Sequence, residues 1–169
     1  MRTALVLSLL AAGCAAAPAD PAARAGTCRA LFQVYDREVA RQPPAMLELD
    51  ETLLFGRRAP DPAGLRQYRC VRFESDLAAG ADLSAHRAPP PGQGAARYVH
   101  LATMAADGAA ARLAGRVAAL GYRVETRGAP GLGRRVFVGP LRTPAEVGAA
   151  LRLAAALGLD DAYPLSRIP

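Results

Sequence analysis

Three groups of residues in this chain have types that can do chemistry. The first is cysteine, at Cys14, Cys28 and Cys70. The second is a set of later positions, His100, Arg135, Phe137 and Tyr163, that combine a fixed cation, an imidazole and flat rings. The third is an acidic trio, Glu48, Asp50 and Glu51. Cysteines pair, or react as thiolates. An arginine fork grips a carboxylate at two points, and aromatic rings offer flat apolar faces to sugars or bases. Catalysis would need a positioned acid or base, a nucleophile or a ligand set. Residues 20–96 contain one histidine, His86, and no metal-ligand spacing. The acidic trio reads as a solvated turn. No catalytic residue, metal or cofactor is expected.

The odd cysteine count asks for an explanation in an exported protein, and the first residues point to export. Met1-Arg2-Thr3 is a short basic start, and Ala4 to Ala12 is apolar except for Ser8. That run is too short to span a bilayer and fits the apolar region of a secretory signal. Residues 1–19 are therefore expected to be a signal peptide or lipoprotein signal. Leu10-Ala11-Ala12-Gly13-Cys14 resembles a lipobox, with Ala11 where Leu is preferred. Cleavage near 13/14 would make Cys14 a lipidation site and the only membrane attachment. Cleavage near 19/20, after Ala17-Pro18-Ala19, would remove Cys14 altogether. Either way Cys28 and Cys70 remain. In an oxidising periplasm they are expected to form a disulfide, closing a loop of about forty residues and stabilising the fold by about 4 kcal/mol. Two buried free thiols are the alternative.

Composition adds little to this. The formal charge is +6, carried by Arg without any Lys, which suits an anionic partner without choosing one. Trp is absent, and Ala inflates the hydrophobic fraction, so cores should be small.

Elements must position these groups. Residues 20–26 read as an Ala/Pro-rich tether. Residues 27–82 read as a small N-terminal region: Thr27 as a helix cap, then Cys28, Leu31, Phe32, Tyr35 and Val39 at helical spacing, with Pro43-Pro44 ending the helix. Asp61-Pro62 suggests another helix start, and Tyr68 to Phe73 a strand carrying Cys70. Residues 83–96, with Pro89-Pro90-Pro91-Gly92, read as a linker. From Arg97 the pattern sharpens. Tyr98–Met104, Tyr122–Thr126, Arg135–Val138 and Ala162–Ser166 read as strands. A helix capped by Asp107 follows the first strand. Thr143-Pro144-Ala145-Glu146, a capping box with Pro at the first turn, starts another after the third. The expected fold is α+β, a β-α-β-β-α-β ferredoxin-like unit over residues 97–167: a four-stranded sheet with two helices on one face and water on the other. Alternation along the strands turns His100, Ala102, Arg135, Phe137 and Tyr163 to the open face. The segment from Arg97 carries 10 Arg against 5 acidic residues.

Tyr98-Val99-His100-Leu101-Ala102-Thr103-Met104, Arg135-Val136-Phe137-Val138-Gly139-Pro140 and the tail around Asp161-Ala162-Tyr163 resemble the first, third and last strands of SPOR (sporulation-related repeat) domains. The resemblance covers residues 97–167. It implies binding of septal peptidoglycan, as glycan strands stripped of stem peptides, through the open sheet face. His100 falls where the family often has a contacting Gln, and Thr103 where it has Ser. Arg135 matches a family Arg, and Tyr163 an apolar contact.

The expected function is therefore non-catalytic peptidoglycan binding in the periplasm or cell envelope, with His100, Thr103, Arg135, Phe137 and Tyr163 as the ligand-binding set. An envelope scaffold recruiting a division or outer-membrane protein through residues 27–82 is the alternative. An accessory of a wall hydrolase is a further one. A nucleic-acid partner is not expected, since no Arg/Lys-Gly-Phe-type motif accompanies the strand aromatics.

Overall fold

The computed structural model describes residues 20–41, 62–129 and 131–169. The expected signal segment, Cys14, the acidic trio and Pro43-Pro44 lie outside the described residues. The fold is α+β, built on one mixed sheet of five strands.

The chain enters through α1, Pro21–Val39. The expected tether is helical instead. Asp20 caps the helix, its carboxylate accepting from the Ala22 and Ala23 N–H groups, and Pro21 takes the first turn. Pro is suited to that position, and Ala is the best helix former. Thr27 is therefore interior rather than a cap, its hydroxyl donating to the Ala23 carbonyl. A short helix α2, Pro62–Gln67, leads to the two-residue strand β1, Val71–Arg72. Cys28 and Cys70 form a disulfide with Cα atoms 5.5 Å apart, joining the middle of α1 to the residue before β1.

The next elements are β2, Arg97–Met104; α3, Asp107–Ala118; β3, Val124–Ala129; β4, Gly133–Leu141; α4, Pro144–Ala156; and β5, Tyr163–Leu165. β4 pairs antiparallel with β2 on one side and β3 on the other. On the other edge of β2 two short strands share the space. β5 runs antiparallel to residues 98–100, and β1 runs parallel to residues 103–104. The sheet thus has five strands rather than four: the strand expected over Tyr68–Phe73 is the two-residue β1, just after Cys70, and it joins this sheet instead of a separate N-terminal region. β5 covers only part of the β2 edge, and the Cys70 disulfide delivers β1 to the remainder. A buried ion pair, Arg72 to Asp161 at 2.7 Å, ties the two short strands together.

Asp107 is the first residue of α3 rather than its cap, and its carboxylate takes two hydrogen bonds from Arg134, each 3.1 Å. The Arg134 fork holds that carboxyl below its ordinary range. The α4 start matches its sequence pattern. The Thr143 hydroxyl accepts from the Glu146 N–H, and Glu146 accepts from the Thr143 N–H at 2.7 Å. β3 starts at Val124 rather than Tyr122 and runs on to Ala129, and β4 extends beyond Arg135–Val138 at both ends, shrinking the turn between them. Gly133, at φ +121°, opens β4 where a Cβ would run into the Met104 carbonyl. The expected linker is an anchored strap. Ala88 N–H bonds to the Leu120 carbonyl at 2.9 Å, and the Gly94 carbonyl accepts from Arg142 at 3.0 Å.

The sheet is covered on both faces. On one, α3 and α4 pack an aliphatic core around Leu101, Leu113, Val117, Val138, Leu153 and Leu157. On the other lies α1, with Cys28, Phe32, Tyr35 and Val39 buried against Leu65, Leu132 and Tyr163. The expectation that this second face meets water is corrected here. A helix with an apolar stripe has to bury it, and the bare sheet face is where α1 does so. β2 accordingly reads as six consecutive buried residues from Val99 to Met104, the pattern of a strand covered on both sides.

Candidate functional site

The residues singled out from the sequence do converge. His100 on β2 sits opposite Phe137 on β4 and Tyr163 on β5, and Thr103 sits opposite Arg135. Strict alternation would place His100 and Thr103 on opposite faces. The β2–β4 register shifts between His100 and Ala102, consistent with one extra residue in β2. The shift turns Ala102 into the helix-side core, against the expectation that it faced outward. It also brings His100 and Thr103 together, with Nε2 and Oγ1 3.1 Å apart.

Around them the rings form a box. The His100 ring lies 5.4 Å from Phe137 and 5.0 Å from Tyr163, centroid to centroid. The Arg135 guanidinium lies over Phe137 at 4.8 Å, and its Nη2 donates to the Tyr163 hydroxyl at 2.8 Å. A cation held between ring faces gains from their quadrupoles.

The set is not open to solvent. Arg135 is 2 % exposed, His100 1 %, Tyr163 5 %, and Thr103 and Phe137 are fully buried. Three side chains of α1 close the box. Phe32 lies 4.7 Å from His100 and stacks on Tyr163 at 6.2 Å. Tyr35 contributes a second ring to Arg135, at 5.3 Å. Asp36 accepts from Arg135 Nη1 through one oxygen and from the Tyr163 hydroxyl, at 2.7 Å, through the other. A buried guanidinium requires such a counter-charge. Sequence reasoning missed Phe32, Tyr35 and Asp36 as members of this cluster. The available signal was the aromatic stripe of α1 itself, which needed a surface to cover.

Burial sets the protonation states. Burial first, and then the neighbouring Arg135 charge, hold the His100 imidazole well below its ordinary value, while a hydrogen bond with the Ala102 backbone works in the opposite sense. His100 is therefore neutral near pH 7. Burial also pushes the Tyr163 phenol far above its ordinary value, so its hydroxyl keeps the proton it donates to Asp36. With α1 in place the cluster holds an anion, the Asp36 carboxylate, and a stacked flat ring, Phe32. A fixed guanidinium at its centre opposes a cation, and among the described residues no group of three or more His, Cys, Asp or Glu is gathered as for a metal ion. Also among the described residues, no helix is long and apolar enough to cross a membrane.

Comparison of the chain with protein-family models, with curated proteins and with solved structures returned no match.

Proposed function

We propose that this chain is a non-catalytic envelope module that binds peptidoglycan glycan strands through the α1-facing side of its sheet when α1 is displaced. The observation that carries this reading is the Arg135 cluster: one guanidinium held by Phe137 and the Tyr163 hydroxyl, with His100 and Thr103 beside it. Those groups suit a sugar strand bearing carboxylates, whose flat faces stack on rings and whose anions pair with Arg. The resemblance of residues 97–167 to SPOR domains points the same way. Placement at the cell wall or septum follows from that ligand, and the basic, apolar first residues support export.

The test is retention of the purified full chain on sacculi stripped of stem peptides by an amidase. Tyr163→Phe and Arg135→Gln are expected to lower retention. Undiminished retention, with folding verified by circular dichroism, would remove the proposed face from consideration.

A second reading has a specific observation behind it. The disulfide and the nine-residue buried cluster under α1 suit a face that stays filled. The chain would then be an envelope scaffold that recruits a partner by its outer surface. Retention that is absent in every variant favours it.

A further inference from the structure

α1 supplies two groups that resemble, in chemistry, what the sheet face would take from outside. Phe32 stacks its ring on Tyr163 and sets it at a tilt against His100. Asp36 offers a carboxylate whose two oxygens are divided between Arg135 and the Tyr163 hydroxyl. We propose that α1 is an internal competitor for the binding face, with Phe32 standing where a sugar ring stacks and Asp36 where a glycan carboxylate sits. The inference rests on the glycan reading above and adds the control of that site.

The way α1 is attached fits this role. The disulfide anchors the helix at Cys28, beside β1, and Phe32 and Asp36 follow one and two turns later along the same face. The blocking end can therefore lift while the anchored end stays. A tethered competitor acts at an effective concentration near the millimolar range, so a weak contact suffices to keep the face shut. If the open form is about 1 % of molecules, the apparent dissociation constant for external glycan rises about a hundredfold. The end that must lift is fastened to the sheet by the Asp36 contacts and by the buried Phe32, Tyr35 and Val39 side chains, whereas the anchored end is covalent.

The test uses the full, oxidised chain and amidase-stripped glycan strands. Asp36→Asn with Phe32→Ala is expected to raise affinity at least tenfold and to reduce hydrogen-exchange protection in α1 while α3 and α4 stay protected. Adding Arg135→Gln to that background is expected to abolish the gain. Cys28→Ser with Cys70→Ser, which releases the tether, is expected to move affinity in the same direction and serves as the opened variant should the first fold poorly. Equal, Arg135-dependent binding by wild type and opened variant overturns the competitor and leaves the glycan reading standing. Loss of α1 protection with no binding in any variant overturns both. Full α1 protection in the double variant overturns the claim that these two side chains hold the helix down.

Discussion

Beneath α3 and α4 the sheet offers Val99, Leu101, Ala102, Met104, Val136 and Val138. Beneath α1 it offers His100, Thr103, Arg135, Phe137 and Tyr163. The first surface asks only for apolar volume, and any close-packed set of aliphatic side chains meets the demand. The second asks for particular partners in particular places. A guanidinium must find a carboxylate, a phenol an acceptor and an imidazole a hydroxyl, and each failure is penalised separately. Thr103, on the sheet itself, serves the imidazole, and α1 meets the other two demands with one acid, Asp36, adding two rings and a disulfide. The difference teaches that the two cores should fail differently. The aliphatic side should lose stability in proportion to volume removed, and the α1 side in steps, as individual contacts are cut.

The sharpest way to break the comparison is at Asp36. Asp36→Ala leaves Arg135, 2 % exposed, without its carboxylate. Removing one member of a buried ion pair destabilises by about 3–5 kcal/mol. Urea unfolding should register that loss, and hydrogen exchange should assign it to α1 and its contacts first. A loss below about 1 kcal/mol would mean water already serves Arg135, and the α1 side would cease to be a core in the sense argued here. On the opposite face Leu113, fully buried in α3, gives the volume counterpart. Leu113→Ala should cost about 2–5 kcal/mol and lower protection across the sheet together, without a step confined to α1. If its effect stays local to α3, the two cores are less distinct than their composition suggests.

Much of residues 97–167 was legible in the sequence, for reasons visible at single positions. Thr143-Pro144-Ala145-Glu146 encodes a cap by local chemistry, and the helix starts there. Ala110, Leu113 and Val117 lie on one stripe and are buried together. Alternation is local and places His100, Arg135, Phe137 and Tyr163 on one face, whereas it puts Ala102, beyond the register shift, on the wrong one. What failed was long-range. Nothing near Arg135 in sequence announces that Asp36, ninety-nine residues earlier, will pair with it. The register shift in β2 was hidden as well, since it depends on pairing with β4. The start of α1 was a misjudged local signal, because Asp20-Pro21 caps a helix as plainly as Thr143-Pro144 does. The candidate site was therefore legible as a list of side chains and illegible as a buried one.

A smaller effect separates the two faces by pH. His100 is neutral in the fold because burial, and then Arg135, hold its proton affinity well below the ordinary value of 6.5. The groups around it are Arg135, Tyr163, Thr103 and, from α1, Asp36. With the folded value depressed, the unfolded chain takes up the proton first. Stability is therefore fully present above about pH 6.5 and is lost as pH falls from there toward the folded-state value, at no more than about 1.4 kcal/mol per pH unit. His100→Gln should flatten the slope between pH 7.5 and 5.5 in urea midpoints. A slope that survives the substitution unchanged assigns it to other groups and leaves the α1 side without its own pH signature.

The smallest effect is the control that the others need. Thr143 caps α4 on the aliphatic side, accepting from the Glu146 N–H at 3.2 Å. Thr143→Ala removes that acceptor and the hydroxyl's bond to Glu146, but the Glu146 carboxylate keeps the Thr143 and Arg142 N–H donors at 2.7 and 2.9 Å. Although burial pushes the Glu146 carboxyl upward, its donors outweigh this and hold it below its ordinary value, so the charge stays satisfied. The expected loss is that of one cap, about 1 kcal/mol, with α1 protection unchanged. Combined with Asp36→Ala, the losses should add to within about 0.5 kcal/mol, as they do for sites without shared partners. A larger coupling would show that the sheet transmits strain between its faces, and that α1 cannot lift without disturbing the aliphatic core beneath.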